Sequence, residues 1–547
     1  MNQANIEIEG IPFNLKVIIK QLKQDMRDDW FPDPLNYEDT LNELVIAKKL
    51  AEYKNDPVKI FNGHDARQYN IPKKGYVLRY ALETSLWDRI IYQGISSHLI
   101  SFCDRHLESC VFGHRWSQQP TGKYIFKNNI DSWKQFEDTV KLHLTSENPY
   151  LLVTDVQNYF ENIRIKDVRK CLSQILSKSK ITSPYDKKAT QNDIKIICKL
   201  LAKWTPYKKH GIPQNRDASS FLGNVIMHGV DSFMVNKGYA YFRYMDDMRV
   251  ICKNEYHARR ALKDLIIELR KVGLNVNSKK TFILAKDSAD IGKYILTPNR
   301  EVEQIDALWK SKRLTSIRTA LPLLRRMTLK LIANNKTQDR EFRFCLNRLE
   351  NLARCRETRN IFDFTIITDC IIGELVNQPY STDSLVRFLR CVNLTNGQLQ
   401  KIADILMDNS KSIYSWQNYH LWQLFINHHY AREDLVSYAK RVTVETCHEP
   451  DAAGAIIYLG ACGNEEGKIQ IARQFKNYKS YLVQRNAMIA THELGYNNYI
   501  RPFIKDYVHE DLVGTYRILS TSYKGRYYSP LEPLKVSEIY RDILGYN

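Results

Sequence analysis

The stretch YAYFRYMDDMRVIC, from Tyr239 to Cys252, decides how the rest of this sequence is interpreted. Two runs in which apolar residues alternate flank a short turn, which is the pattern of a β-hairpin. The turn carries two adjacent carboxylates, Asp246 and Asp247. Adjacent carboxylates repel, and holding both near a buried strand end is costly unless a divalent cation lies between them and another acid. The alternative is an ordinary surface hairpin, since Asp favours turns.

A second apolar run supplies a third acid. Residues 150–163 read YLLVTDVQNYFENI, a strand pattern that ends at Asp155 and leads into a turn. If this strand lies beside the hairpin, the three carboxylates meet at the strand ends. Such a cluster suits two Mg²⁺ ions about 4 Å apart, one to activate a 3′-hydroxyl and one to neutralise a leaving pyrophosphate. Because the ligands are all oxygen, Mg²⁺, or Mn²⁺ in its place, is favoured over zinc.

Two loops have features of a nucleotide pocket. Gly211–Asn224 reads GIPQNRDASSFLGN, a turn entering a helix, and its amides and the Gln214 side chain can line such a pocket. Upstream, IPKKGYVLR places Lys73, Lys74 and Arg79 around a glycine turn, which suits a triphosphate clamp. Each loop alone is more often a solvated loop. The occurrence of both loops in this order along the chain, together with the paired acids, is improbable by chance.

These segments resemble, in the same order, the motif series of reverse transcriptases, over residues 61–296. The matching segments are the fingers motif at Lys73, Lys74 and Arg79, two blocks at Asp88-Arg89 with Gln93 and at Phe112-Gly113-x-Arg115, motif A at Asp155–Ile163, motif B at Gly211–Asn224, motif C at Tyr244–Asp247 and motif D at Leu274–Thr281. The resemblance implies a right-hand polymerase palm and fingers with a two-metal nucleotidyl-transfer mechanism.

The resemblance also implies a role for individual residues. Lys280 of motif D is expected to protonate the leaving pyrophosphate. The metal ions are expected at Asp155, Val156, Asp246 and Asp247. Nucleotide contacts are expected from Lys73, Lys74, Arg79, Phe160, Gln214 and Ser219.

Two positions bear on the substrate. Phe160 stands where the family keeps an aromatic gate against a ribose 2′-hydroxyl, so the resemblance implies dNTPs and a DNA product; the alternative is a plain core ring. Asn215 departs from the family, most members of which carry Gly after the Gln. A side chain there is expected to crowd the approach of base or template, which puts efficient template copying in doubt.

The composition agrees with a nucleic-acid partner. The 547 residues carry 80 Lys+Arg against 61 Asp+Glu, a net charge of +19 that attracts a polyanion. The eleven cysteines stand singly, without zinc-site spacing, and read as reduced thiols. The sequence has neither a secretion signal at its start nor an apolar run of the roughly 18 residues that span a bilayer. We therefore expect a cytoplasmic protein without a membrane anchor.

The expected fold class is an α+β right-hand polymerase followed by an all-α domain. Residues 1–60 are interpreted as an N-terminal helical extension, residues 61–296 as fingers and palm, and residues 297–547 as a helical-repeat, HEAT-like domain in place of a thumb. The repeat signal rests on Leu424, Leu459 and Leu494, spaced by 35 residues. A plain helical bundle fits this pattern about as well.

A basic polymerase core followed by a long helical region, without a zinc or HNH endonuclease pattern, resembles the bacterial abortive-infection and defence-associated reverse transcriptases. That resemblance implies an antiphage role, self-association, and DNA synthesis without a template, primed from a protein tyrosine. Tyr37, Tyr53 and Tyr69 are primer candidates by their N-terminal location. The alternatives are an RNA-templated enzyme working with a structured partner RNA, and an inactive nucleic-acid-binding scaffold.

The helical half also has features of a single-stranded DNA surface. Lys476–Tyr481 and Tyr523–Tyr528 interleave cations with aromatic rings. Such surfaces bind single strands by phosphate neutralisation and base stacking, so these runs are expected to line the path of the product. A solvated helix edge with half-buried tyrosines is the alternative for either run.

Overall fold

The computed structural model describes residues 5–8, 10–52, 61–117, 124–205, 209–295, 299–447, 449–494, 507–513, 515, 518–519, 531 and 533–539. Contacts divide the chain into two compact units. The first unit comprises Met1–Asp29, Thr40–Gln68 and Ala81–Thr297, and the second comprises Trp30–Asp39, Tyr69–Tyr80 and Pro298–Asn547. The three-part division expected from the sequence stays a prediction.

The strands of the described residues form three sheets. Their bounds are β1 Asn5–Ile8, β2 Ile11–Asn14, β3 Arg67–Pro72, β4 Leu78–Glu83, β5 Tyr150–Asp155, β6 Ala240–Tyr244, β7 Asp247–Cys252 and β8 Phe282–Ala285. β1 pairs with β2, β3 pairs with β4, and the largest sheet has the order β6-β7-β5-β8. The β1–β2 hairpin lies in the segment for which the sequence predicts helical turns.

The four-stranded sheet is the core of the first unit. Every residue of β5 and β7 after the first is buried. Successive residues of a strand point to opposite faces, so both faces of these strands are covered. The helices Asn129–His143 and Glu255–Lys271 both contact the sheet. Asn254 caps the second of them, and Gly273, with φ of 77°, follows its end.

The helices of the first unit surround this sheet. Asp217–Asn236 contacts Ile165–Lys178, Leu86–Cys103 and Glu255–Lys271, which makes it the central helix of the unit. The described helices are Leu15–Asp25, Glu43–Glu52, Leu86–Cys103, Asn129–His143, Tyr159–Asn162, Ile165–Lys178, Pro184–Trp204, Asp217–Asn236 and Glu255–Lys271, with 3₁₀ turns at Met26–Asp28, Asp104–His106, Ser278–Lys280 and Ile291–Lys293.

The second unit is helical through its long C-terminal part. Ser415–Asn427, Pro450–Cys462 and Tyr481–Thr491 pack one on the next and form its most heavily buried layer. Its described helices are Arg300–Lys310, Leu314–Ala333, Arg340–Arg354, Thr365–Asn377, Thr382–Leu389, Asn396–Met407, Ser415–Asn427, Glu433–Glu445, Pro450–Cys462, Glu465–Gln474, Tyr481–Thr491 and Val536–Ile539, with 3₁₀ turns at Pro379–Ser381, Phe475–Asn477, His492–Leu494 and Glu510–Leu512.

The early segment Trp30–Asp39 is part of the second unit's core. Tyr419 donates a hydrogen bond to the carbonyl of Pro32 at 2.7 Å. The buried Arg485 guanidinium pairs with Asp33 at 2.8 Å and with Asp39 at 2.6 Å. Within the described residues, none of the helices is both long enough and apolar enough to span a membrane.

Candidate catalytic site

Three carboxylates come together at one end of the four-stranded sheet. Asp155 ends β5, Asp247 begins β7, and the two face each other directly in the antiparallel ladder. Asp246 lies in the turn just before Asp247, and its carbonyl accepts a hydrogen bond from the amide of Val156 at 3.2 Å. The structure therefore brings together the three acids that the sequence placed at strand ends.

The turn between β6 and β7 is held in an unusual backbone conformation. Tyr244 pairs with Asp247, so Met245 and Asp246 alone form the turn. Met245 has φ of 56°, in the left-handed region, which costs a residue with a side chain about 1–2 kcal/mol. Its carbonyl accepts a hydrogen bond from Nη1 of Arg243 at 2.9 Å. This contact stabilises the turn that presents Asp246.

Arg243 is fully buried, and its acidic partner was not identified from the sequence. Its Nε and Nη2 donate to the two carboxylate oxygens of Asp231 at 2.8 and 2.6 Å. Its Nη1 also donates to Oδ1 of Asn224 at 2.9 Å. An arginine inside a strand as apolar as YAYFRYM is the signal that reveals such a site, because a buried guanidinium must find an acid.

A glycine lets a neighbouring segment approach the same turn. A Cβ atom on Gly113 would lie 3.1 Å from Cγ of Met245 and 3.3 Å from its amide nitrogen. The amide of Phe112 donates to the carbonyl of Arg243 at 2.9 Å, which fixes this segment beside β6. The Phe112-Gly113 block, singled out in the sequence without a role, therefore packs against the carboxylate-bearing turn.

The electrostatics of the cluster oppose three simultaneous negative charges. Burial, together with the charges of Asp247 and Asp155, raises the pKa of Asp246 to about 7. Burial and Asp155 also raise the pKa of Asp247, with Arg249 opposing them. At neutral pH without a counterion, the cluster therefore holds a proton part of the time.

The donor set fits a divalent cation. Oδ1 of the buried Asp155 has no hydrogen-bond partner among the described residues, although a buried carboxylate oxygen normally finds one. Carboxylate oxygens are the ligands of choice for Mg²⁺ and Mn²⁺. Asp155, Asp246 and Asp247 could thus hold metal. The metal-binding role expected for Val156 stays a prediction.

Lys280 lies at the edge of this cluster. Its ammonium pairs with Oδ2 of Asp155. Burial opposes the charge, but the hydrogen bond and attraction to Asp155 prevail and raise the pKa of Lys280. The amide of Asn277 donates to the carbonyl of Asp155 at 2.8 Å, which places the Ser278–Lys280 turn next to β5. Lys280 is therefore protonated and within reach of the three acids.

The segment after β5 and the loop before the central helix are joined by backbone hydrogen bonds. The amide of Ile212 donates to the carbonyl of Phe160 at 3.0 Å, and Gly211 donates to Ile163 at 2.8 Å. Nε2 of Gln214 reaches Oε1 of Glu161 at 3.5 Å. Phe160 is only partly buried. The structure thus brings Phe160 and Gln214 onto adjoining segments, and their nucleotide roles stay predictions.

Ser219 and Asn215 have contacts that the sequence did not indicate. Ser219 is fully buried, and its hydroxyl lies 2.9 Å from the hydroxyl of Tyr92. That packing does not favour its expected nucleotide contact, which stays untested. Asn215 has φ of 54°, a conformation that Gly and Asn tolerate best, and Nδ2 donates to the carbonyl of Asp28 at 2.8 Å. Its side chain is therefore engaged within the first unit.

The expected triphosphate clamp belongs to the other unit. Lys73, Lys74 and Arg79 lie in Tyr69–Tyr80, which clusters with the second unit, whereas the carboxylates belong to the first. The amide of Lys73 donates to the carbonyl of Val77 at 2.8 Å in the β3–β4 turn, and Arg79 lies over the Trp30 ring at 5.4 Å. Their nucleotide contact stays a prediction.

The primer candidates that the structure describes are buried. Tyr37 and Tyr69 are each 5% exposed, and burial does not favour a priming role for either. Tyr53 and Tyr523–Tyr528 lie outside the described residues. Tyr256, at 80% exposed, and Tyr76, at 66%, are the most accessible tyrosines of the described chain.

Comparisons with known proteins bear on the same region. A family model described as reverse transcriptase (RNA-dependent DNA polymerase) matches residues 72–337. No curated protein matches the chain.

Similar solved structures include three telomerases. An apo telomerase from Candida tropicalis truncated from its C-terminal domain is 17% identical, with 45% of this chain and 56% of that chain covered and a TM-score of 0.31. A telomerase from Candida albicans in complex with a TWJ fragment of telomeric RNA is 11% identical, with 72% and 67% covered and a TM-score of 0.32. An apo telomerase from Candida tropicalis is 14% identical, with 78% and 69% covered and a TM-score of 0.32. The chain thus spans only 56% of the first of these.

Proposed function

We propose that the protein, of which residues 72–337 match the reverse transcriptase family model, is an RNA-directed DNA polymerase-like nucleotidyltransferase that synthesises DNA from dNTPs. The observation that carries the proposal is the meeting of Asp155, Asp246 and Asp247 at one sheet end. Reverse transcriptase domains use divalent metal ions. We propose that two Mg²⁺ ions bind at these three acids and meet that requirement.

Asp155, Asp246 and Asp247 would hold the metal ions, which would supply activation of the attacking 3′-hydroxyl and neutralisation of charge on the phosphates. The chain's own residues supply the conditions for this chemistry. The carboxylates must be ionised to hold these ions, and because the pKa of Asp246 without metal is about 7, a cation that binds at neutral pH displaces the proton of that carboxyl group. Arg243 and Gly113 keep the turn in place.

Lys280 is proposed as the general acid for the leaving pyrophosphate. Its raised pKa means that it carries a proton throughout the physiological range. Its side chain is 59% exposed, so the ammonium can move between Asp155 and an incoming phosphate. A protonated lysine at this point donates a proton to a developing oxyanion.

The proposed nucleotide pocket lies between the Phe160 segment and the Gln214 loop. The part-buried ring of Phe160 is proposed to exclude a 2′-hydroxyl, and Gln214 to contact the base or sugar. Lys73, Lys74 and Arg79 are proposed to neutralise the triphosphate, since cations on a glycine turn suit phosphate oxygens.

The direct test is incorporation of labelled dNTPs by the pure protein. Wild type with Mg²⁺ is expected to make polymer, and Asp246→Asn is expected to make none, because the amide cannot replace a charged metal ligand. Asp290→Asn, which alters a surface carboxylate paired with Lys293, is the matched control and should keep full activity. Wild-type synthesis by Asp246→Asn would refute the proposal.

We propose further that the second unit is built of HEAT-like repeats and binds the single-stranded product. Residues 307–338 hold eight Lys/Arg and no Asp or Glu. In the helix Leu314–Ala333, Arg318, Arg326 and Lys330 are exposed. Arg326 pairs with Glu301 at 2.8 Å. Arg318 and Lys330 are twelve residues apart and lie within about 120° of each other around the helix, where they can neutralise phosphates.

Charge reversal tests this surface. Arg318→Glu with Lys330→Glu should weaken binding of single-stranded DNA and lower its salt slope by about 0.7 for each phosphate that is no longer neutralised. Lys401→Glu with Arg473→Glu changes two exposed cations elsewhere in the second unit by the same charge. Equally weakened binding in both double variants would mean that only overall charge matters.

An antiphage role, with template-independent and protein-primed synthesis and self-association, is proposed from the resemblance to the abortive-infection group. A long helical region after the polymerase motifs is the feature that supports it. Incubation with Mg²⁺ and labelled dNTPs, without template, should yield label that remains on the protein and is released by protease. Synthesis only after addition of an RNA template would instead favour the templated alternative.

A further inference from the structure

The loop that begins at Gln214 is tied to an N-terminal turn of the same unit. Directly after Gln214, Asn215 donates to the carbonyl of Asp28 at 2.8 Å. The next residue, Arg216, donates from Nη1 to Oδ1 of Asp29 at 2.7 Å. Two consecutive loop residues therefore contact two consecutive residues of the turn.

The ion pair at Asp29 is buried and shared. Arg216 and Asp29 are each 5% exposed at the side chain, and Arg89 pairs with the same carboxylate at 2.9 Å. Burial alone would raise the pKa of Asp29, but Arg89 and Arg216 outweigh it and lower the pKa. A buried carboxylate that binds two guanidinium groups fixes the position of both, because breaking either contact removes a buried, charge-assisted hydrogen bond.

A third contact holds the start of the following helix. Asp217 accepts a hydrogen bond from Nε2 of Gln21 and pairs with Nε2 of His114 at 3.0 Å. Gln21 lies in the helix Leu15–Asp25, which leads into the turn at Asp28 and Asp29. The N-terminal segment thus contacts three residues in a row, from 215 to 217.

We propose that the Asp28-Asp29 turn is a positioning element of the nucleotide pocket. Asp29 and Asn215 fix the loop on which Gln214 stands and so set how that side chain meets an incoming dNTP; the inference rests on the proposed function. Asn215 takes the place of the family's Gly because its φ of 54° suits either residue, and only Asn adds the contact to Asp28. The turn acts through Gln214 and touches no substrate itself.

The test measures kcat and KM for dNTP separately in full-length protein. Asp29→Asn should raise KM by about tenfold, with a smaller change in kcat, because a displaced loop weakens nucleotide binding first. Asn215→Gly keeps the backbone conformation and removes only the contact to Asp28, so it should raise KM by about threefold at an unchanged Tm. The double variant should be less than additive, since both changes release one loop.

Asp193→Asn is the matched structural control. It alters a fully buried carboxylate of the same unit that pairs with His98 at 2.6 Å, without contact to the loop. Its KM for dNTP should equal that of wild type even if its Tm falls. Unchanged KM in Asn215→Gly and Asp29→Asn, or an equal rise in all three variants, overturns the inference. Failure of wild type to polymerise would instead overturn the proposed function.

Discussion

Asp246 couples the site's protonation to the stability of the fold. Because its pKa is raised from 3.8 to about 7, the folded protein holds this proton more tightly than the unfolded chain. The resulting stabilisation is complete below the unfolded pKa and is lost as pH rises through about 7. The affinity for a divalent cation instead rises as pH rises through this range, because only the ionised carboxylate binds a cation.

We therefore expect Asp246→Asn to be more stable than wild type at pH 8 in chelator, by on the order of 2 kcal/mol, and this advantage to shrink toward pH 4. The measurement is thermal unfolding at both pH values. Added Mg²⁺ should raise the Tm of wild type at pH 8 and leave that of the variant nearly unchanged. A pH-independent difference between the two proteins would contradict the assignment.

Phe160 governs the choice of sugar under the proposed function. Phe160→Ala should reduce the preference for dNTP over rNTP by about 10- to 100-fold, because the space for a 2′-hydroxyl opens. Tyr159→Phe, a change in the buried neighbouring ring, is the control and should keep the preference. Competition between labelled dGTP and GTP measures this preference. An unchanged ratio of the two incorporated nucleotides in Phe160→Ala would contradict the assignment of Phe160 as the gate.

At the scale of elements, the β6–β7 turn depends on the segment beside it. Met245 cannot shift easily, since its backbone is in the left-handed region and its carbonyl is bound by Arg243. Gly113→Ala would place a methyl group 3.3 Å from the Met245 amide nitrogen. The carboxylate of Asp246 should move with the turn.

We expect Gly113→Ala to lower kcat by about tenfold while the protein stays folded. Gly229→Ala is the matched control, because its added methyl group would meet nothing within 4 Å in the helix Asp217–Asn236. That control should gain up to about 1 kcal/mol of stability, as Ala replaces Gly in a helix. Steady-state kinetics and thermal unfolding of both variants test this expectation. Equal kcat values would mean that the close approach of Gly113 to Met245 does not matter for catalysis.

The strands near the site could be predicted from the sequence where a local residue pattern indicates them. The runs ending at Asp155 and flanking Asp246 have the apolar content and turn residues of strands, and both are strands in the structure. The β1–β2 hairpin was missed because its segments are only four residues each. So short a strand has too few residues to show a period.

At the scale of the molecule, Arg485 joins distant parts of the second unit. It is 1% exposed and lies between Asp33 and Asp39, over the ring of Tyr37 at 4.7 Å. Replacing it removes the guanidinium that pairs with both buried carboxylates. Arg485→Leu should therefore cost about 3–5 kcal/mol.

Arg432→Leu provides the comparison. Arg432 also pairs with two acids, Asp404 and Asp434, but both are more than half exposed. Its replacement should cost no more than about 1 kcal/mol. Chemical denaturation measures both variants, and similar destabilisation would mean that the Arg485 cluster is not a fixed part of the core.

The sequence by itself determined the local patterns: the acids, the strands that end at them, and the order of the segments that resembles a polymerase. These depend on neighbouring residues, whose periodicity and turn chemistry are readable along the chain. Tertiary structure alone decided that Arg485 pairs with Asp33, 452 residues away, that Arg243 pairs with Asp231, and that Tyr69–Tyr80 clusters with the second unit. The physical reason is burial. A buried charge is stable only when an opposite charge or a hydrogen-bond partner lies beside it, and that partner can come from any part of the chain, so the local sequence does not identify it.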